Sequence, residues 1–320
     1  MRRPEPECGK AGLPDFVFAR GGRRKERFRV ALGFGASSIT VDRLGPADLV
    51  DLFAFLDEDP VLHVYLTALA ARDALARPND PFWAARREGR IVAAMYVGSV
   101  SGALLPAGDD EDGLSRLAAT VASRVEILPR RLQLIGSRAA VECFAPVLHA
   151  AGLRPRLRRA QRYLALERGA LRPFERVPEL RTARPDDLPL LYQSGAELRI
   201  EELEEDPRIT DGAAYARRVE EEGRDQHTWL WLDREGLRFR ASVSAVTADA
   251  AQISGVFTPA ARRRRGFAAR GLSELCLRMF ERCQAVCLFV NEINQPALAL
   301  YDAMGFRKRA DWGSIFYDRR

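Results

Sequence analysis

Val256-Phe257-Thr258-Pro259-Ala260-Ala261-Arg262-Arg263-Arg264-Arg265-Gly266-Phe267-Ala268 sets four arginines and a glycine between an apolar strand and a helix. The strand is read from Ala251 to Phe257. The helix is read from Ala268 to Arg282, where Leu272, Leu275, Cys276, Met279 and Phe280 recur at helical spacing. A helix start leaves backbone N–H groups without internal partners and carries the positive end of the dipole, so a turn of this kind suits a phosphate. Gly266 lets the backbone approach such a ligand, and small Ala268 keeps the first turn open. A charge run is more simply a solvated face, but these arginines sit on the turn itself, which favours the anion site.

Downstream of the turn, Ala285 to Val290 reads as an apolar strand and Pro296 to Met304 as a short helix closed by Gly305. Upstream, Thr228 to Leu232 and Phe239 to Val246 read as strands, joined around Asp233-Arg234-Glu235-Gly236. The class is α/β, of the mixed-sheet α+β type. The ending occurs twice: Leu148-His149-Ala150-Ala151-Gly152-Leu153-Arg154 lines up with Tyr301-Asp302-Ala303-Met304-Gly305-Phe306-Arg307 at an offset of 153. Carried back without a gap, that offset sets Pro106 on Pro259 and Gly113 on Gly266. The chain therefore divides into a basic flexible tail over 1–39, a first lobe over 40–168 and a second over 178–320. The breaker-rich Arg168-Gly169-Ala170-Leu171-Arg172-Pro173 and then Pro178 join the lobes.

Arg263-x-x-Gly266-x-Ala268 resembles the Gln/Arg-x-x-Gly-x-Gly/Ala motif of the GNAT superfamily of N-acetyltransferases. Asn291-Glu292-Ile293-Asn294, followed by Ala297, Tyr301, Gly305 and Phe306, resembles that family's second signature. The two stand in order, separated by a helix and a strand, and the resemblance covers residues 178–320. It implies tandem GNAT-like lobes with a central, mostly antiparallel sheet, flanking helices and a splayed parallel strand pair that holds CoA. It also implies acetyl-CoA as cosubstrate and no metal.

Residue by residue, the resemblance implies that Val256, Phe257 and Thr258 lie along the pantetheine arm, with the Val256 N–H on the thioester oxygen. It implies that Arg263, Arg264, Arg265, Gly266, Phe267 and Ala268 hold the pyrophosphate, and that Asn291 and Asn294 touch the CoA arm. Tyr301 matches the tyrosine whose hydroxyl protonates the departing thiolate; its plainer reading is a core aromatic. Glu201 and Glu202 fall where the fold shapes the acceptor pocket. Either would serve as the base for the amine, or both belong to an exposed acidic stretch that runs to Asp206. His227 and Glu292 are weaker candidates. The implied activity is acetyl transfer to a primary amine in a ternary complex, with a CoA-binding regulatory module as the alternative.

The first lobe differs at the same positions. At the shared offset Arg262 to Arg265 fall on Asp109, Asp110, Glu111 and Asp112, and Asn291, Asn294 and Tyr301 become Arg138, Val141 and Leu148. Inverted charge opposes a pyrophosphate, so this lobe is expected to keep the shape without the usual CoA groove and to wall the acceptor pocket. The arginines Arg154, Arg156, Arg158, Arg159 and Arg162 at its end are expected to meet acidic surface on the other lobe or the Glu201 stretch.

Composition bounds the remaining classes. With 320 residues, 47% hydrophobic and 29% charged, the chain suits two soluble domains. No apolar run approaches the roughly 18 residues of a bilayer span, and no secretory signal is legible. A cytoplasmic enzyme without membrane contact is expected. Of the formal net charge of +6, residues 1–29 hold nine Lys/Arg against four acids. The near-neutral remainder argues against a nucleic-acid partner, and residues 1–35 read as a disordered leader or an over-long start. Five cysteines and three scattered histidines complete neither a disulfide framework nor a metal site. The acceptor is an amine-bearing small molecule or peptide, and no oligomeric state follows from the sequence.

Overall fold

In the computed structural model, which describes residues 38–99 and 101–318, every strand joins one sheet of twelve. The basic segment up to residue 37 lies outside the described residues, and Ile39, assigned above to the tail, opens the first strand. The first half runs β1 (Ile39–Arg43), α1 (Leu49–Leu56), α2 (Val64–Asp73), β2 (Phe82–Arg87), β3 (Arg90–Val97), β4 (Ala103–Ala107), α3 (Glu111–Ala122), β5 (Arg131–Ser137), α4 (Arg138–Ala150) and β6 (Pro155–Glu167). The second repeats this order with one extra turn: β7 (Arg181–Thr182), α5 (Leu188–Leu203), α6 (Pro207–Thr210), α7 (Gly212–Asp225), β8 (Thr228–Asp233), β9 (Gly236–Val246), β10 (Ala250–Phe257), α8 (Phe267–Met279), β11 (Ala285–Asn291), α9 (Gln295–Met304) and β12 (Arg307–Asp318).

The sheet order β1-β2-β3-β4-β5-β12-β6-β11-β10-β9-β8-β7 reads the same repeat from either edge. The last strands are exchanged: β12 pairs with β5, β6 pairs with β11, and the two pair with each other at the centre. All pairings are antiparallel except β4–β5 and β10–β11. On one face α8 and α9 bury Leu272, Leu275, Met279 and Met304 against Phe239, Ile253 and Leu288, while α3 and α4 bury Leu117, Phe144 and Leu148 against Leu132 and Leu134. On the other face lie α1 and α2, and beside them α5 and α7. Val61 and Val64 pack on Tyr163, Ala245, Ala250 and Cys287, so the start of α2 lies over strands of the second half. In the reverse sense, Glu205 after α5 meets Arg131 at 2.5 Å and Arg156 at 3.1 Å, and Glu204 meets Arg159 at 2.6 Å. The basic run at the end of the first half thus finds the acidic stretch.

The ungapped repeat needs a correction. Leu134 and Cys287 are 153 residues apart, as the offset requires, but their partners across the parallel pairs, Leu104 and Gln252, are 148 apart. Three residues connect β4 to α3, whereas nine connect β10 to α8. Gly113 accordingly lies inside α3, where a Cβ would press on Ala93 at 3.2 Å and Ala85 at 3.3 Å. It is a helix-to-sheet packing glycine, and Asp110, not Gly113, occupies the place of Gly266 at the helix start. Downstream of β5 the frame holds at the helix ends, where Gly152 and Gly305 both follow helices at positive φ, although α4 follows β5 directly and three residues separate β11 from α9.

Candidate active site

Strands β10 and β11 pair at three positions, from Ala250↔Ala285 to Gln252↔Cys287, and then part, with β10 running on to Phe257 and β11 to Asn291. Bulges in β10 against β9, between Gln252 and Ile253 and between Ser254 and Phe257, bend it away, helped by Gly255 at φ +60°. Ser254, Gly255 and Val256 thereby face a gap in the sheet, and Leu198 of α5 stands 3.4 Å from where a Cβ on Gly255 would be.

Beyond Phe257 the chain makes a single helical turn at Ala260–Arg262, passes Arg264 at φ +60° and enters α8 through Gly266 at φ +78°. No side chain caps α8, and a Cβ at Gly266 would meet nothing within 4 Å. Thr258, buried beside this loop, has a hydroxyl with no hydrogen-bond partner. The N–H groups of this helix start and the buried Thr258 hydroxyl are thus donors without partners among the described residues. The four arginines divide. Arg262 is held by the carboxylate and carbonyl of Glu235. Arg263 donates to both oxygens of Glu201 at 2.6 and 2.8 Å and to the Thr258 carbonyl at 2.9 Å. Arg264 and Arg265 are exposed and make no ion pair within 4 Å among the described residues; Arg265 lies over the buried ring of Phe267, and its charge also reaches Glu235. Ala268, in the first turn, is half-buried.

Tyr301 on α9 is buried among the α8–α9 core residues, and its hydroxyl makes no hydrogen bond with the described residues. Burial pushes this phenol well above its ordinary range, and the charge of Glu202 adds to the shift, so the two groups feel one another across the gap. Glu202 as a residue is exposed to solvent, although protein atoms surround its carboxyl closely. That desolvation, with the like charge of Glu201, raises it to about 7; Arg199 and Arg240 pull the other way. The crowding of the carboxyl governs its proton affinity more than the water-accessible area of the whole residue does. The two adjacent acids therefore differ in their surroundings: Glu201 is tied to Arg263, whereas Glu202 makes no ion pair among the described residues and its charge reaches Tyr301.

The asparagines serve the turn. Asn291, ending β11, accepts from the Ile293 N–H at 3.4 Å, and Asn294 caps α9 by accepting from the Ala297 N–H at 3.2 Å. Of the weaker candidates, Glu292 is paired with Arg138 at 2.8 Å, and His227 lends its carbonyl to the Val243 N–H. Sequence reading missed Arg240, which is buried under α5 with Glu222 at 2.5 Å and Ser194 at 3.0 Å. A lone arginine in the apolar run Phe239 to Val246 was the available signal.

The first half parts its parallel strands in the same manner, after Leu104↔Leu134. Its helix start is closed: the Asp110 carboxylate accepts from the Gly113 N–H at 2.8 Å and from Arg87 at 2.5 Å, so a carboxylate sits where a phosphate would. At the offset of 153, buried Leu148 falls on Tyr301 and buried Val141 on Asn294, although Val141 lies inside α4, whose cap is Ser137, whereas Asn294 caps α9.

Residues 236–315 match the family described as FR47-like protein. No curated protein matches the sequence. Among solved structures, the chain is similar to a Drosophila protein at 11% identity and a TM-score of 0.62, covering 87% of this chain and 98% of that one. It is similar to a GCN5-related N-acetyltransferase from Sphaerobacter thermophilus at 16% identity and 0.55, covering 88% and 96%. It is also similar to a tandem GNAT protein from the clavulanic acid biosynthesis pathway at 16% identity and 0.52, covering 88% and 99%. What identities this low carry is the fold. The chain has the fold of the GNAT-superfamily acetyltransferases, with a diverged first half ahead of the part that matches the FR47-like family.

Proposed function

We propose that this chain is an acetyl-CoA-dependent N-acetyltransferase whose catalysis lies in a C-terminal domain over 178–320, preceded by a degenerate GNAT-like domain over 40–168. The observation that carries this reading is the asymmetry of the two halves. Both part their parallel strands, but one alone combines an uncapped helix start, the orphaned Thr258 hydroxyl and the Tyr301–Glu202 pair.

The cradle residues fit a pyrophosphate. The N–H groups from Gly266 to Ala268, the Thr258 hydroxyl and the unpaired Arg264 and Arg265 would hold it, and Arg263 would turn to it from Glu201. The free edge of Val256 and Phe257 on one side and Asn291 and Asn294 on the other line the arm. Acetyl-CoA supplies the activated acyl group. Glu202, near neutrality in its proton affinity, takes the proton of the acceptor ammonium. The freed amine nitrogen bonds to the carbonyl carbon while the Val256 N–H donates to the oxygen that gains charge. As the carbon–sulfur bond breaks, the Tyr301 hydroxyl, kept protonated by burial, gives its proton to sulfur. The nitrogen's second proton passes to solvent as the amide forms, and solvent carries the proton from Glu202 back to Tyr301. Holding amine and thioester together supplies much of the acceleration.

Thiol release from acetyl-CoA over a panel of primary amines tests this reading. Wild type is expected to release thiol with at least one amine, and Tyr301→Phe to bind acetyl-CoA with turnover reduced about 100-fold or more. Binding without release for every amine would leave a CoA-binding module in place of an enzyme.

A further inference from the structure

A cavity of about 760 Å³ lies on the α1–α2 face of the sheet. It includes the opening of the first half's own splayed strands, since Ala107 on β4 and Ser137 on β5 both line it beyond the last paired position, Leu104↔Leu134. It runs under Phe55 and Leu66 to Gln252, Ser254 and Phe289. Those three flank the point where β10 and β11 part, just after Gln252↔Cys287. One space therefore joins the groove that lost its phosphate loop to the groove that kept it.

The chemistry of this space differs from that of the arginine loop. Four carboxylates line it, from Glu58, Asp59, Asp109 and Asp110, and no lysine or arginine does. Asp59 is paired with Arg309 and Asp110 with Arg87, while Glu58 and Asp109, both exposed at the rim, have no cationic partner among the described residues. The rest of the lining is largely apolar, and it includes Trp312, whose indole N–H is buried without a partner. A mostly apolar cavity of this size with a few polar groups is what a small organic ligand requires, and unpaired carboxylates at the rim select a cation.

We propose that this joined space is the acceptor pocket and that it takes an organic amine, cationic in solution, with an apolar body of several carbons. The ammonium enters past Glu58 and Asp109, and its nitrogen reaches the strand junction at Ser254, next to Gly255, on which Leu198 of α5 closes; Glu202 stands on that helix outside the cavity lining. The first half thus supplies specificity through a groove that has exchanged an anionic ligand for a cationic one. The inference rests on the acetyltransferase reading, which brings the thioester to that junction.

The test uses the full chain with hexylamine, hexanol and hexanoate as probes, followed by calorimetry and by thiol release with hexylamine and ethylamine. Hexylamine is expected to bind, and hexanol and hexanoate not to. In the double variant Glu58→Gln/Asp109→Asn the KM for hexylamine is expected to rise about fivefold or more, with kcat and acetyl-CoA affinity unchanged. Ala103→Phe, which fills part of the cavity lined by β4, is expected to raise the KM for hexylamine and spare ethylamine. Acetyl-CoA binding reports that each variant is folded. Turnover with hexylamine KM unchanged in both variants, or hexanol binding as well as hexylamine, overturns the pocket assignment. Absence of thiol release with every amine overturns the acetyltransferase reading instead, and calorimetry then shows whether hexylamine still binds.

Discussion

The proton affinity of Glu202 gives the most quantitative expectation. Its carboxyl is raised to about 7, first by burial and then by the charge of Glu201. If Glu202 is the base, its active form is the carboxylate, so kcat/KM, which reports the ligand-free enzyme, climbs with pH and levels off above neutrality. With a midpoint near 7 the carboxylate fraction is about one-eleventh at pH 6 and about ten-elevenths at pH 8, so kcat/KM rises about tenfold across that window. An alkylamine that stays an ammonium throughout the window keeps its own ionisation out of the profile. Glu202→Gln is expected to remove this limb and to lower kcat by about 100-fold or more. Glu201→Gln removes the second cause of the shift and is expected to move the limb toward lower pH. A wild-type kcat/KM that is flat from pH 6 to 8, or a Glu202→Gln variant with the limb intact, would refute the assignment.

The same shift affects stability with the opposite sign. A carboxyl whose folded affinity exceeds its unfolded one binds more protons in the native state between about 4.5 and 7, so folding weakens as pH rises through that range. Glu202→Gln is therefore expected to melt higher than wild type at pH 8 and alike at pH 4, read by thermal denaturation. Thr258→Val removes a hydroxyl that has no partner, so the melting temperature is expected to hold or rise while acetyl-CoA affinity falls, separating a ligand contact from a structural one. Gly305→Ala forces a side chain into φ +106° and against the Ala170 carbonyl, and chemical denaturation is expected to show a loss of about 2 kcal/mol or more. Glu222→Ala leaves the buried guanidinium of Arg240 without its ion pair, with an expected loss of about 3 kcal/mol in the same assay.

Much of the second half was legible because its local chemistry is self-sufficient. Gly236, Gly266 and Gly305 mark turns that need positive φ, and the strands and helices between them came out within a residue or three. The exchange of β6 and β12 was not legible, since the apolar alternation of a strand does not name its neighbour. The ungapped offset failed where two glycines coincided for different reasons: Gly266 turns the chain into a helix, and Gly113 lets a helix lie close to Ala85 and Ala93. Charge inversion in the first half survives that correction, because Asp110 caps α3 with its own carboxylate. Glu201 and Glu202 could not be told apart in an unbroken acidic run. On a helix adjacent side chains point about 100° apart, and here one meets Arg263 while the other does not. The joined cavity has no sequence signature, because its walls come from strands on both sides of the exchanged pair.

The central claim is that one of two related grooves binds CoA. Calorimetric titration of acetyl-CoA into wild type and Gly266→Glu tests it most directly, since a side chain at position 266 meets no neighbour within 4 Å; its φ of +78° strains the backbone, so the melting temperature is read alongside. One site per chain, lost in Gly266→Glu while the fold is retained, is the expected result. Two sites per chain, or one site that survives the substitution, would contradict it.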